Sequence, residues 1–167
     1  MLVASHEHSV KHAMFASGCQ ACEVEIDQDT GQVSIDRLLA ISDPGKIINP
    51  LIVDGQMHGG LAHGIGHAIL ERAFYEPTTG QLVTGSFLDY TIPRADDVPE
   101  FDLLWNPIET DENPLGVKGA GEIGTMGCPA AVMNAIIDAF TPLGITDIQM
   151  PATAERMWHL LKNPVQR

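Results

Sequence analysis

Between Pro50 and Arg72 apolar residues repeat with a helical period, yet Gly55, Gly59, Gly60, Gly64 and Gly66 interrupt the same run. Each glycine in an exposed helix interior costs roughly 1 kcal/mol against alanine. It loses the most backbone freedom on folding and brings no side chain to pack. So many glycines forbid an isolated helix, and the segment folds only where something compensates. A helical wheel drawn at about 100° per residue separates two faces. Met57, Leu61, Ala62, Ile65, Ala68 and Ile69 make one apolar face. The other is bare backbone crossed by a stripe of Gln56, His63 and His67. Such a helix suits the close approach of a second backbone, through small-residue packing, or of a ligand, as a pocket wall.

The flanking segments set the rest of the fold. Ala21, Glu23 and Glu25 alternate with Cys22, Val24 and Ile26, Asp29-Thr30-Gly31 makes a turn, and Val33 to Ile41 reads as a second strand. Two alternating runs around such a turn form a β-hairpin. Asp43-Pro44-Gly45 breaks the strand, and Asn49-Pro50 opens the glycine-rich helix, since proline is tolerated in a first turn. Short strands are expected at Leu82–Val83, Phe87–Ile92 and Phe101–Trp105, with Gly80, Gly85 and Pro93 as breaks. A helix is expected from Cys128 to Phe140, a short strand from Asp147 to Met150, and a closing helix from Thr153 to Lys162. The fold class is α+β: a hairpin and short strands packed with a glycine-rich helix and two C-terminal helices. Residues 1–17 read as an irregular N-terminal segment in which His6, His8 and His12 are solvated, and 18–167 as the folded body.

Charge excludes some functions. A net charge of −13 repels a phosphate backbone, so nucleic acid is not an expected partner. Charged residues are only 19% of the chain, below the usual quarter, which suits a surface partly covered by partners. No run of about 20 apolar residues stands out, so no membrane span is expected, and the N-terminus has no secretory pattern. Three cysteines, an odd number, argue against a disulfide framework and fit the reducing cytoplasm.

The segment Gly116–Gly127, GVKGAGEIGTMG, places one carboxylate, Glu122, among glycines. A lone Glu there does little for stability but is well placed to touch a small molecule held against the backbone. Glu122 therefore reads as a catalytic base, and the neighbouring glycines as backbone that contacts a cofactor. Rival motifs are weaker. His63, His67 and Glu71 share a metal-ligand spacing, but Gly64 replaces the Glu that HExxH requires. Cys19-x-x-Cys22 has no second pair and lies on a strand, one cysteine facing each way. Gly119-x-Gly121-x-x-Gly124 matches the dinucleotide fingerprint, but the residues before it are polar and broken by proline, not a buried strand.

Taken in order, GCQACEVEIDQDTGQVSI, DPGKIINPLIVDGQMHGGLAHGIGHAILE, TGSFLDYTIPRADDVPEF, NPLGVKGAGEIGTMGCPAAVMNAIIDAF and PATAERMWHLL resemble the C-terminal part of a molybdenum hydroxylase large subunit. This is the family of xanthine dehydrogenase, aldehyde oxidase and aerobic carbon monoxide dehydrogenase. The resemblance covers roughly Gly18 to Leu161. It implies that Glu122 is the general base beside the molybdenum, acting in the hydroxylation of an electron-poor carbon. It implies that the backbone of Gly119, Ala120 and Gly121 contacts molybdopterin, that Gln56 hydrogen-bonds the pterin, and that this chain supplies no metal ligand. The cofactor would be molybdenum–molybdopterin, in some members as the cytosine dinucleotide, with iron–sulfur clusters and FAD on partner subunits. Further partners would be the remaining part of the molybdenum subunit and a small-molecule substrate. Two positions depart from the common pattern: His63 stands where many members have Gln, and Gln20 where His is common. Family large subunits are several times longer, so the chain is expected to be a fragment or a split-gene piece, inactive alone. The alternative is a non-catalytic remnant or scaffold that only packs with partner subunits.

Overall fold

The computed structural model describes residues 2–7, 9 and 12–163. Strand β1, Ser17–Ile26, pairs antiparallel with β2, Val33–Asp43. The turn is closed by Asp27, whose carboxylate accepts the N–H groups of Asp29 and Thr30, and by Gly31 at φ 75°. A bulge between Glu23 and Val24 shifts the register. Strand β3, Phe101–Trp105, then pairs parallel with β2, giving the order β1-β2-β3. The parallel pairing was not readable from the sequence. It follows from the crossover through helix α1, Pro50–Ile65, which begins at the Asn49 cap and ends in a π-helical turn over Gly66–Leu70.

Three expected strands are absent. Residues 82–83 form only an isolated bridge from Tyr75 to Leu82, 87–92 are turns and extended chain, and 147–150 are extended without a partner. Their alternating patterns have no neighbouring strand to complete a ladder. Helix α2, Ile123–Phe140, starts five residues before the expected Cys128, within the glycine stretch. Helix α3, Ala154–Lys162, is capped by Thr153 and buries Met157. Of the N-terminal histidines, His6 is exposed and His12 lies 3.2 Å from the exposed Glu112; His8 lies outside the described residues.

All the helices that build the core lie on one face of the sheet. Leu38 and Ala40 of β2 meet Met57, Leu61 and Ile65 of α1 and Cys128, Val132, Ile136 and Phe140 of α2, all within 1% of full burial. Ile123–Leu143 is long and apolar enough to pass for a membrane span by length and composition alone, but it is the central helix of the fold, packed on α1 and β1.

The glycines explain why α1 and α2 form at all. A Cβ on Gly60 would stand 2.9 Å from the Cα of Gly124, and one on Gly124 would stand 2.6 Å from the Met57 carbonyl oxygen. A Cβ on Gly64 would meet that of Cys128 at 2.5 Å. The two helices thus touch backbone to backbone, and the packed seam offsets the glycine penalty. Gly55 and Gly59, by contrast, have nothing within 4 Å of a built Cβ. The bare face of the wheel therefore divides, one flank packed and the other open.

Candidate functional site

The chain enters the glycine stretch from a bracket built on Asn113. Its Oδ1 accepts from Leu115 and Val117 N–H, and its Nδ2 donates to the Val117 carbonyl. Gly116, at φ 68°, turns the chain, and its carbonyl accepts from Lys46 N–H at 2.9 Å. Val117 bridges Gly45, Lys118 N–H donates to the Pro44 carbonyl, and Gly119 bridges Phe15. The stretch is therefore held on both sides as extended chain before it turns into α2.

A buried ion pair anchors it. Lys118 Nζ donates to Asp43 at the end of β2, with only 16% and 9% of the two side chains exposed. Burial opposes charge on Asp43, but the Lys118 ammonium and the N–H groups of Ile108 and Gly45 outweigh it and hold its carboxyl down at about 2. Sequence reasoning used Asp43 only as a strand breaker and passed over Lys118. The usable signal was an Asp before Pro-Gly, a residue that caps its own turn.

Glu122 occupies the N-cap position of α2, yet its side chain makes no capping bond, and it is exposed. Glu122 lines a cavity of about 700 Å³ whose wall also includes Gly119, Gly121, Gln20, Phe15 and Met126. Phe15 and Met126 are 80% and 79% exposed and give the cavity apolar flanks. Of the residues expected at the site, Gly119, Gly121 and Glu122 come together on this wall. Ala120 is half-buried and Gln56 is exposed, and neither lies among the lining residues. Gln56 reaches the same loop from the α1 side, its Oε1 4.0 Å from a Cβ built on Gly121.

The rival sites separate. His63 and His67 stack edge to face with ring centroids 4.2 Å apart. The π-helical turn carries Glu71 off their stripe into extended backbone, where it accepts the Tyr90 hydroxyl. No group of three His, Cys, Asp or Glu side chains suited to a metal occurs among the described residues. The cysteines are free; burial pushes the Cys22 thiol up to about 11 and the Cys128 thiol up to about 12, which leaves both unreactive at neutral pH.

The wall fits a pterin-type group better than a metal ion. It offers the open backbone of Gly119 and Gly121, where a Cβ would meet nothing nearer than 3.9 Å, and a free carboxylate.

Comparison with known proteins finds relatives over most of the chain. The family model described as the molybdopterin cofactor-binding domain matches residues 3–99. The nicotine 6-hydroxylase large subunit of Paenarthrobacter nicotinovorans is 42% identical over 144 residues, 86% of this chain and 18% of that one. The carbon monoxide dehydrogenase large chain of Hydrogenophaga pseudoflava is 32% identical over 161 residues, 96% of this chain and 20% of that one. The crystal structure of quinoline 2-oxidoreductase from Pseudomonas putida 86 superposes with a TM-score of 0.85 at 38% identity, over 89% of this chain and 19% of that one. The chain thus spans about a fifth of the length of these relatives.

Proposed function

The chain belongs to the molybdopterin cofactor-binding domain family of the molybdenum hydroxylases, and from that premise we propose that it forms part of the catalytic subunit of such an oxidoreductase. The observation that carries the reading is the carboxylate of Glu122. It belongs to a residue at a helix N-cap that does not serve as a cap and that lines a cavity together with the glycine loop. A side chain kept free of local hydrogen bonds at such a place is available for proton transfer.

When bound, the molybdenum cofactor supplies the two-electron oxidation of the substrate carbon. Glu122 receives the proton at its carboxylate oxygen. Gly119, Ala120 and Gly121 present backbone to the pterin, Gln56 contributes a hydrogen bond from the α1 side, and Phe15 and Met126 give the substrate side an apolar flank. Lys118 and Asp43 hold the loop in register.

The remainder of the large subunit is the first partner required, because this chain has about a fifth of the length of its relatives. Exposed Leu51, Phe87 and Leu88 suit burial against that remainder. Residues 18–167 would form the C-terminal portion of the domain, the nucleotide form of the cofactor would follow the remainder, and iron–sulfur and flavin subunits would carry electrons away in the cytoplasm. Nicotine 6-hydroxylase and quinoline 2-oxidoreductase are both named for nitrogen heterocycles, so an N-heteroaromatic is the first substrate class to assay.

The test is Glu122→Gln in the assembled enzyme. Turnover is expected to fall by at least about a hundred-fold, with molybdenum and pterin content unchanged. Undiminished turnover, or loss of the metal, would count against the assignment.

A further inference from the structure

Gln20 lies on β1 and its side chain forms part of the same cavity wall. Its Nε2 donates to the carbonyl oxygen of Gly124 at 3.0 Å and of Ile123 at 3.4 Å. Those carbonyls belong to the first turn of α2, directly after Glu122. The reversed amide would set Oε1 against two carbonyl oxygens, so the orientation follows from the partners. Gly127 leaves room for the amide, since a Cβ there would lie 3.2 Å from Gln20 Cδ. On the other flank, Thr125 Oγ1 donates to the Gly60 carbonyl at 3.0 Å. The turn that carries Glu122 is therefore gripped by β1 on one side and by α1 on the other. Glu122 makes no capping bond of its own, so its direction is inherited from that turn.

We propose that Gln20 is a positioning residue for Glu122: its amide clamps the first turn of α2 to β1 and sets the direction in which the carboxylate enters the cavity. Two features support a clamp over simple packing. Gln20 leaves its own Oε1 buried and unpartnered, a cost that an apolar side chain of similar size would avoid. Its donor, moreover, is directed at backbone of the one turn adjoining Glu122 and at no other part of α2. The proposal rests on the reading of Glu122 as the base.

The experiment uses the assembled enzyme and the variants Gln20→Glu, Gln20→His and Gln20→Leu, assayed with nicotine or quinoline beside Glu122→Gln. Gln20→Glu keeps the size of the side chain but turns an acceptor toward the two carbonyls. Amide exchange over Ile123–Gly127 is expected to accelerate about ten-fold while α3 stays unchanged, as local opening requires. A small misplacement of the base lowers kcat roughly ten- to hundred-fold, with KM and molybdenum content unaltered. Gln20→His restores an N–H donor and recovers both readouts; Gln20→Leu does not, and it stands in if Gln20→Glu fails to fold. Turnover lost in Glu122→Gln, with exchange and kcat unchanged in the Gln20 variants, overturns the clamp alone. Turnover retained in Glu122→Gln overturns the base and the proposal together.

Discussion

Two glycine-rich surfaces of this molecule look alike in sequence and behave in opposite ways. Along the α1–α2 seam, Gly60, Gly64 and Gly124 are buried, and each stands so close to the other helix that a methyl group would collide with it. At the cavity, Gly119 and Gly121 have no atom nearer than 3.9 Å to a built Cβ, and Glu122 beside them is exposed. The seam uses glycine to let two backbones pack; the loop uses it to leave backbone uncovered. What separates them is the presence of a facing helix. Composition alone cannot distinguish the two, and a motif such as Gly119-x-Gly121-x-x-Gly124 spans both, its last glycine belonging to the seam.

The sharpest way to break this contrast is at Glu122. As a general base it contributes on the order of 10²- to 10⁴-fold in rate. Glu122→Gln is expected to lower kcat of the assembled enzyme by that order. Its thermal midpoint should stay put, because the side chain is exposed and caps nothing. A fall in midpoint comparable to that of a seam variant would place Glu122 among structural residues.

The loop needs its own support, and the second prediction addresses that. Lys118→Met leaves Asp43 buried without its cation. Breaking a buried pair costs about 3–5 kcal/mol; with both side chains still slightly exposed, the lower end applies. The pH dependence follows from the direction of the shift. Asp43 is held at about 2 in the folded chain, against about 3.9 unfolded. Its stabilising contribution is complete above the unfolded value and is lost as pH falls through the folded one. Denaturant melts between about pH 4 and pH 2 should show this decline in the parent and a flatter profile in Lys118→Met. Equal slopes would show that the anchor is not ionic.

How far the sequence spoke depended on the range of the forces involved. The hairpin was legible because Val24, Ile26, Val33 and Ile35 alternate across a short turn. The apolar face of α1 was legible because Met57, Leu61 and Ile65 repeat at helical spacing, and all three are fully buried. The glycine loop was recognisable as a place where a carboxylate has no structural task. The parallel pairing of β2 with β3 was not legible, since it depends on a crossover of more than fifty residues. The start of α2 at Ile123 was hidden by glycines that are poor helix formers in isolation and acceptable only against Met57 and Leu61. Asp43 with Lys118, and Gln20 with Ile123 and Gly124, lie far apart in sequence, so no local pattern joins them. Residues 82–92 erred the other way: their local pattern suggested strands, but no neighbouring strand satisfies them.

The third prediction tests the seam. Gly124→Ala puts a methyl group against the Met57 carbonyl and the Leu61 N–H, backbone that cannot rotate away. Overpacking of this kind costs about 1–3 kcal/mol, and the gain in helix propensity of about 1 kcal/mol offsets only part of it. The midpoint should fall, and amide exchange should quicken in both helices, since the contact is shared. An unchanged midpoint would mean that the helices separate at no cost, and that the glycines at the seam serve something else.

The smallest effect, and the only gain, is expected on the open flank of the same helix. Gly55 and Gly59 lie in α1, both exposed, with empty space where a Cβ would stand. Alanine there restricts the unfolded chain and costs the folded one nothing, so each substitution should stabilise by about 0.5–1 kcal/mol. Gly60→Ala, one residue further along, should have the opposite sign, because its methyl group meets Gly124 and Thr125 at 2.9 Å. Thermal melts of Gly59→Ala and Gly60→Ala therefore compare neighbouring positions that differ only in what faces them. A gain at Gly59 that becomes a loss once the chain is assembled would locate partner backbone on this flank, because space open in the chain alone would then be filled. A gain that persists in the assembly would leave the flank free, and helix propensity alone would account for it.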